Sequence, residues 1–139
     1  MIIQVISAFF ATAAFAVLFF LPKKYIIQAG VTGSIGWLIY LILMELTSDK
    51  VWATFAATLI IALTSHILAR IYKTPVTMFL IPGVIALVPG AGMFQIVQSI
   101  IENELDNTAY YFLQTLQMAG AIALGIFIID TLFRKVKKG

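Results

Sequence analysis

Long apolar runs separated by short polar breaks dominate the chain. Five runs cover about residues 2–21, 25–46, 51–71, 76–101 and 109–133, and the connections hold nearly all of the charge. Each run reaches the roughly 20 residues that a helix needs to cross about 30 Å of hydrocarbon. The pattern predicts an all-α integral membrane protein, a bundle of five transmembrane helices that forms a single transmembrane domain over residues 1–139.

Composition supports this prediction and excludes several other classes of protein. Of the 139 residues, 62% are hydrophobic and 11% are charged, whereas soluble domains are about half apolar and about a quarter charged. The absence of cysteine excludes disulfides and thiolate ligands, and a single histidine argues against a zinc cluster. No Gly-rich phosphate loop followed by Lys and Ser/Thr is present. We therefore expect no cofactor, no metal and no nucleic-acid partner.

The basic residues predict the orientation of the bundle. If the loops alternate between the two sides, one side receives only Lys50. The other side receives eight of the nine basic residues, which are Lys23, Lys24, Arg70, Lys73, Arg134, Lys135, Lys137 and Lys138. Because basic loops stay in the cytoplasm, we expect the N-terminus outside and the C-terminus in the cytoplasm. Residues 2–21 precede the first positive charge, so they are interpreted as a retained helix rather than a cleaved signal peptide.

The fourth run contains "IPGVIALVPGAG" at residues 81–92, with two Pro-Gly pairs. As one straight helix, residues 76–101 would extend about 39 Å, and Pro and Gly both weaken a helix interior. A segment that returned to its own side would leave four basic residues against five, so a crossing is favoured. The run is predicted to be a helix broken at the Pro-Gly pairs, whose unpaired backbone groups bind a ligand. A plain kink is the alternative.

Polar side chains recur at helical spacing in the fourth run, after the Pro-Gly pairs, and in the fifth run. Gln95, Gln98, Ser99, Glu102 and Asp106 share one face of the fourth run, and Gln114 and Gln117 share a face of the fifth. Glutamine facing lipid is costly, so these side chains are expected to face the bundle interior. They either line an aqueous path for a substrate or bond to one another between helices. For Glu102 and Asp106, the solvated end of a helix is the favoured explanation.

Two titratable residues lie near the predicted cytoplasmic end of the bundle. His66 precedes Arg70 by one helical turn, and Asp130 precedes Arg134 by four residues. A histidine can relay protons across a membrane, or it can serve as a buried donor with one partner. Asp130 is expected to form a local ion pair with Arg134, with proton coupling as the alternative.

Small residues mark the faces where helices are expected to meet. Ala8, Thr12 and Ala16 recur every four residues in the first run, and Gly30, Gly33 and Ser34 cluster in the second. Small side chains let two helix backbones approach closely. These faces are predicted to be packing surfaces, with a surface for sliding during transport as the alternative.

The order of these elements resembles the small membrane subunit of the threonine/serine exporter family. The resemblance is carried by Thr74-Pro75, which opens the fourth run, and by "FLIPGVIALVPGAGMFQ" (Phe79–Gln95). It implies a secondary exporter of small polar metabolites in the bacterial cytoplasmic membrane, driven by the proton gradient, and no enzyme. The expected substrates are threonine- and serine-type amino acids or a small dicarboxylate such as succinate. A second five-span subunit with a soluble cytoplasmic part is the implied partner, and this chain matches the second half of the pair.

The predicted mechanism is alternating access, with this chain forming half of the pathway. The expected substrate-binding residues are Pro82, Gly83, Pro89, Gly90, Gly92, Gln95, Gln98, Gln114 and Gln117. His66 and Asp130 are the candidates for proton coupling. Two alternatives remain, a homo-oligomeric pore or channel in which copies of this chain replace the missing half, and a membrane anchor subunit that does not transport.

Overall fold

A computed structural model of the chain describes residues 2–85, 87–88 and 90–138, with side chains as far as residue 134. The described residues form α-helices and one short 3-10 helix, Lys23–Tyr25, without strands. The helices are α1 (Ile2–Leu18), α2 (Ile26–Thr47), α3 (Lys50–Tyr72), α4 (Thr77–Ile85), α5 (Gly90–Ile101) and α6 (Leu105–Lys138). The prediction of an all-α fold is confirmed.

Local sequence explains where the helices end. Pro22 disfavours helical geometry at the residue before it, and α1 accordingly stops at Leu18, earlier than the predicted end of the first run. Ser48 ends α2 in the left-handed conformation, and the Asp49 carboxylate accepts a hydrogen bond of 2.9 Å from the Val51 N–H, which caps α3. The second and third runs therefore match their helices within one residue at each end.

Three helical segments are long and apolar enough to cross a membrane. They are Lys23–Thr47, which includes the 3-10 helix, Lys50–Tyr72 and Leu105–Arg134. Helices α4 and α5 together pass the same test, with a bend of 43° between them, and α1 is a shorter apolar helix. By length and composition the described part of the chain thus has three spans, or four if the bent pair is one span. The predicted count of five is a proposal considered below.

The first Pro-Gly pair does not interrupt α4. Pro82 and Gly83 lie inside this helix and are buried, although proline has no N–H to donate to the carbonyl of Met78. Close packing explains why the pair is held there, because a Cβ atom on Gly83 would lie 3.0 Å from Ile61 Cγ2 and 3.2 Å from Thr32 Cγ2. The expectation of unwound backbone at Pro82–Gly83 is corrected. Pro89 of the second pair lies outside the described residues.

The outside of the bundle is apolar and the inside carries small polar groups. Large side chains such as Phe10, Trp52 and Phe127 are more than 60% exposed, whereas Thr58 and Ser65 are fully buried. Soluble monomers rarely expose apolar surface on this scale. Such a surface is typical of a protein that lies in a lipid bilayer.

Small residues sit where the helices touch, as the sequence predicts. Ala8, Thr12 and Ala16 are the buried residues of α1, and a Cβ on Gly33 of α2 would overlap Thr12. Helix α4 lies centrally, because Phe79 packs with residues of α1 and α2 in one core cluster and Val84 packs with residues of α3 and α6 in the other. Helix α5, by contrast, has Ser99 as its buried residue.

Candidate functional site

A cavity of about 300 Å³ lies among α2, α5, α6 and the first residue of α3. We call it the Lys50 cavity. It is lined by Trp37, Tyr40, Lys50, Leu87, Val88, Gly90, Ala91, Gly92, Gln95, Gln114, Thr115 and Met118. Four of the predicted substrate-binding residues, Gly90, Gly92, Gln95 and Gln114, therefore line one space.

The polar groups of this cavity come from facing helices. Gln95 of α5 and Gln114 of α6 are both half-buried, and each amide offers an acceptor oxygen and two N–H donors. Gly92 lets the two helices approach, because a Cβ at this position would overlap Thr115 Oγ1. The described side chains show no hydrogen bond between Gln95 and Gln114, so both amides remain available to a ligand.

Lys50 adds a cation that the sequence analysis did not assign to the site. It is the first residue of α3, held in place by the Asp49 cap. Lys50 lies in the predicted loop between the second and third runs. Its position in the sequence therefore gives no sign that it is close to Gln95 and Gln114 in space. The one available signal was its position as the single basic residue on the predicted outer side.

Two aromatic rings and a helix terminus complete the walls. Trp37 and Tyr40 stack with their ring centroids 4.9 Å apart and their planes 20° apart. Ala91 and Gly92 belong to the first turn of α5, where backbone N–H groups have no partner within the helix and the helix dipole is positive. The cavity can therefore hold a small anion beside Lys50 and α5, and an amine against the aromatic rings.

The remaining predicted residues are not brought to this cavity. Gln98 is exposed and donates to Glu102 Oε1 at 3.5 Å on its own helix. Gln117 lines a separate, mainly apolar groove with Trp52 and Phe55. Pro82 and Gly83 are buried in the helix packing described above. Ser99, from the same predicted stripe, is buried and bonds to Thr108 Oγ1 at 2.6 Å, which explains it as an interhelical contact.

A second cavity, of about 490 Å³, lies at the other end of α3 and α6. We call it the His66 cavity. Its lining residues are His66, Ala69, Arg70, Lys73, Thr74, Val76, Asp130, Phe133 and Arg134. The rise of an α-helix places Lys50 and His66 roughly 24 Å apart along α3. The two cavities therefore stand at opposite ends of the bundle.

Both residues predicted for proton coupling meet in the His66 cavity. His66 Nε2 lies 3.7 Å from Asp130 Oδ1, and Asp130 Oδ2 lies 3.1 Å from Arg134 Nε. The expected ion pair of Asp130 with Arg134 is thus confirmed. The imidazole of His66, whose side chain is 10% exposed, stacks on Phe133 with centroids 4.5 Å apart. Arg70 of α3 covers the same phenyl ring at 4.7 Å.

These features define an all-helical membrane protein with a polar cavity at each end of its bundle. A family model described as "Threonine/Serine exporter, ThrE" matches residues 4–132. The chain therefore belongs to the threonine/serine exporter family and is a membrane exporter rather than an enzyme. No curated protein and no solved structure matches the chain.

Proposed function

We propose that this chain is the membrane subunit of a secondary exporter of small polar metabolites, and that the Lys50 cavity holds the substrate. The observation that carries the proposal is the convergence of Lys50, Gln95, Gln114 and Thr115 on one space of about 300 Å³. Small-molecule sites commonly combine apolar walls with a few convergent polar groups. Gly90 and Gly92 lie in the first turn of α5 rather than in the unwound backbone that the sequence predicts, and Gly90 leaves open space beside these groups.

The composition of the cavity favours a threonine- or serine-type amino acid over a dicarboxylate such as succinate. Lys50 and the first turn of α5 suit one carboxylate. The stacked rings of Trp37 and Tyr40 suit an ammonium group, whereas a second carboxylate would have no second lysine or arginine among the lining residues. The amides of Gln95 and Gln114 then serve the substrate hydroxyl.

We also propose the five-span arrangement, with the N-terminus outside and the C-terminus in the cytoplasm. Eight of nine basic residues on one side support it. Helix α1 has 17 residues, which is at the lower limit for a crossing, and α4 with α5 forms the fourth span across a bend of 43°. The whole chain then forms one transmembrane domain in the bacterial cytoplasmic membrane.

Proton coupling is assigned to the pair of His66 and Asp130. The pair joins α3 to α6, and these two helices also reach the Lys50 cavity. A change in the protonation of the pair can therefore change the packing of both helices. The charged groups facing His66 are Arg70 from α3, with Asp130 and Arg134 from α6, and Lys73 lines the same cavity. Protonation of Asp130 would weaken its ion pair with Arg134 and its attraction to His66, and so loosen one contact between α3 and α6 at this end.

A second five-span subunit with a soluble cytoplasmic part, or a second copy of this chain, completes the pathway. Helix α5 supports this proposal because its exposed side carries Phe94, Val97 and Ile101, which are 57–75% exposed. That surface can be covered by a partner helix as well as by lipid. Alternating access then moves the two halves against each other around the Lys50 cavity.

The test is transport by proteoliposomes that contain the chain, alone and with the second subunit. Labelled threonine, serine and succinate are supplied with an imposed pH gradient and again after the gradient has been collapsed. We expect threonine or serine to accumulate only while the gradient exists, and succinate to move more slowly.

The alternative functions give different results in the same assay. Movement that continues after the gradient has collapsed, with the chain alone, identifies a homo-oligomeric pore. An anchor subunit predicts that transport by the complex survives replacement of Gln95 and Gln114 with leucine. Either result overturns the proposal.

A further inference from the structure

The His66 cavity contains positive charge in addition to the two residues assigned to proton coupling. Arg70, Lys73 and Arg134 line it, and Asp130 is the one carboxylate among its lining residues. Asp130 is already bound to Arg134 at 3.1 Å. Among the described side chains, Arg70 and Lys73 take part in no ion pair, so the cavity holds two cations without a counter-charge.

Arg70 is positioned before any ligand arrives. Its guanidinium lies over the ring of Phe133 at 4.7 Å, and one NH2 group donates to the Phe133 carbonyl oxygen at 3.4 Å. Five N–H donors are available on a guanidinium, so most of its donors remain free. A cation fixed in this way loses less side-chain entropy when an anion binds.

Lys73 occupies a strained position at the same cavity. It follows the last residue of α3 with φ 55° and ψ 47°, the left-handed conformation that helix ends usually give to glycine. Thr74 then donates its N–H to the Ala69 carbonyl at 3.0 Å, and Pro75 prevents the helix from continuing. Phe20, Ser48 and Asn103 adopt the same conformation after their helices, so Lys73 contributes here through its charge in the cavity lining.

Thr74 adds a hydroxyl to the same cavity, and this hydroxyl lacks a partner, as do four other buried side-chain atoms of the described residues. Its hydroxyl oxygen is buried and has no hydrogen-bond partner among the described residues, and the residue lines the cavity. A buried hydroxyl without a partner is costly. A ligand atom that accepts its proton would remove this cost.

We infer that the His66 cavity binds a phosphate group, through the guanidinium of Arg70, the ammonium of Lys73 and the hydroxyl of Thr74. This inference does not depend on the proposed transport function. A planar guanidinium and a point-like ammonium both favour phosphate oxygens, and the hydroxyl donates to a third oxygen. The group is either the head group of an anionic phospholipid or a free phosphate, since basic pockets between transmembrane helices bind such head groups.

The Asp130 carboxylate does not prevent this binding. Its two oxygens are directed to His66 and Arg134. The charges of the lining residues still sum to a positive value, since three basic side chains face one acid.

The test compares ligand binding by the purified full-length chain in neutral detergent. Native mass spectrometry measures retention of phosphatidylglycerol against phosphatidylcholine, and calorimetry measures binding of inorganic phosphate. The variants are Lys73→Gly, Thr74→Val and Arg70→Gln. Lys73→Gly is informative because glycine suits the left-handed position, so the fold is expected to be at least as stable. The matched control is Lys23→Gln, an exposed lysine on the same end of the bundle.

We expect the wild-type chain to retain phosphatidylglycerol at least tenfold more tightly than phosphatidylcholine, or to bind inorganic phosphate. Lys73→Gly and Arg70→Gln each lower that affinity about tenfold or more, the effect of losing one charged hydrogen bond. Thr74→Val lowers it less, and Lys23→Gln leaves it unchanged.

Selective retention of phosphatidylglycerol identifies a lipid as the source of the phosphate group. Calorimetric binding of inorganic phosphate identifies a soluble source. Equal retention of both lipids together with no phosphate binding overturns the inference. An equal loss in Lys23→Gln and Lys73→Gly also overturns it, because general surface charge would then explain the binding. Transport of amino acids is not part of either measurement, so its failure leaves this result intact.

Discussion

His66 and Asp130 face each other across two helices, with 3.7 Å between imidazole Nε2 and carboxylate Oδ1. The first lies near the end of α3 and the second near the end of α6. Close packing of these helices makes the contact possible, since a Cβ on Gly125 of α6 would lie 2.9 Å from Thr58 Cγ2 of α3. This contact joins two helices that also reach the Lys50 cavity.

Removal of the Asp130 carboxylate should uncouple transport from the proton gradient. Asp130→Asn keeps the shape of the side chain but cannot gain or lose a proton, so substrate is expected to equilibrate without accumulating. The measurement is amino-acid uptake with and without an imposed pH gradient. Asp106→Asn, at the exposed start of the same helix, is the matched control and should accumulate substrate normally. Gradient-driven accumulation by Asp130→Asn would falsify the assignment.

Loss of the Lys50 charge should weaken substrate binding. Lys50→Gln removes the cation from the cavity, and a charged hydrogen bond contributes about 1.5–3 kcal/mol. The KM for threonine should therefore rise about 10- to 100-fold, with Lys50→Arg recovering most of the affinity. Initial rates at varied substrate concentration give the KM. An unchanged KM in Lys50→Gln, with Lys24→Gln as a control for general charge, would remove Lys50 from the site.

Replacement of Gly92 with alanine should disrupt the contact of α5 with α6 as long as Thr115 is present. The Cβ of Gly92→Ala overlaps Thr115 Oγ1, so α5 is expected to move away from α6 and transport to fall at least tenfold. The double variant Gly92→Ala/Thr115→Ala removes the overlapping atom and should restore packing, which a double-mutant cycle measures directly. Additive losses in the double variant would mean that the two residues do not contact each other.

An added methyl group should lower stability far more at Gly125, in the α3–α6 contact, than at Gly120 on the same helix. Gly125→Ala places a methyl group against Thr58 and is expected to cost about 1–3 kcal/mol by overpacking. Gly120→Ala on the same helix meets nothing within 4 Å, and should be neutral or stabilising by up to about 1 kcal/mol because alanine favours helix. Unfolding midpoints in detergent compare the two. Equal midpoints would contradict the packing.

The five-span topology predicts opposite labelling of the two ends of α6. The chain has no cysteine, so single-cysteine variants react at one defined position. A cysteine at Asn107 should react with an impermeant maleimide from outside intact cells, and a cysteine appended after the last residue should react only after lysis. The reverse pattern would require an even number of spans or the opposite orientation.

The hydropathy pattern alone predicts most of the secondary structure. In lipid, backbone N–H and C=O groups must be bonded within the protein, so a long apolar run favours a helix. The second and third runs accordingly match α2 and α3 within one residue at each end. Pro22 and the Thr47–Asp49 segment explain two of the boundaries through local backbone preferences. Small residues such as Thr12 and Gly33 predict helix contacts, because only they permit close approach.

The sites depend on which faces meet, and local patterns do not encode that. Helical spacing puts Gln95 and Gln98 on one face of α5, yet the fold brings Gln95 to Gln114 and leaves Gln98 exposed. Lys50 belongs to a loop by sequence and to a cavity by packing, because α3 begins beside α5 and α6. Spacing likewise explains the pair of Asp130 with Arg134 but not its meeting with His66. The sequence by itself determined most of the helices and the membrane environment, since these follow from local hydrogen bonding and hydropathy, and it indicated the family through the motif at Phe79–Gln95. Only the tertiary structure decided which polar groups share a cavity, since that depends on the rotation and depth at which the helices pack.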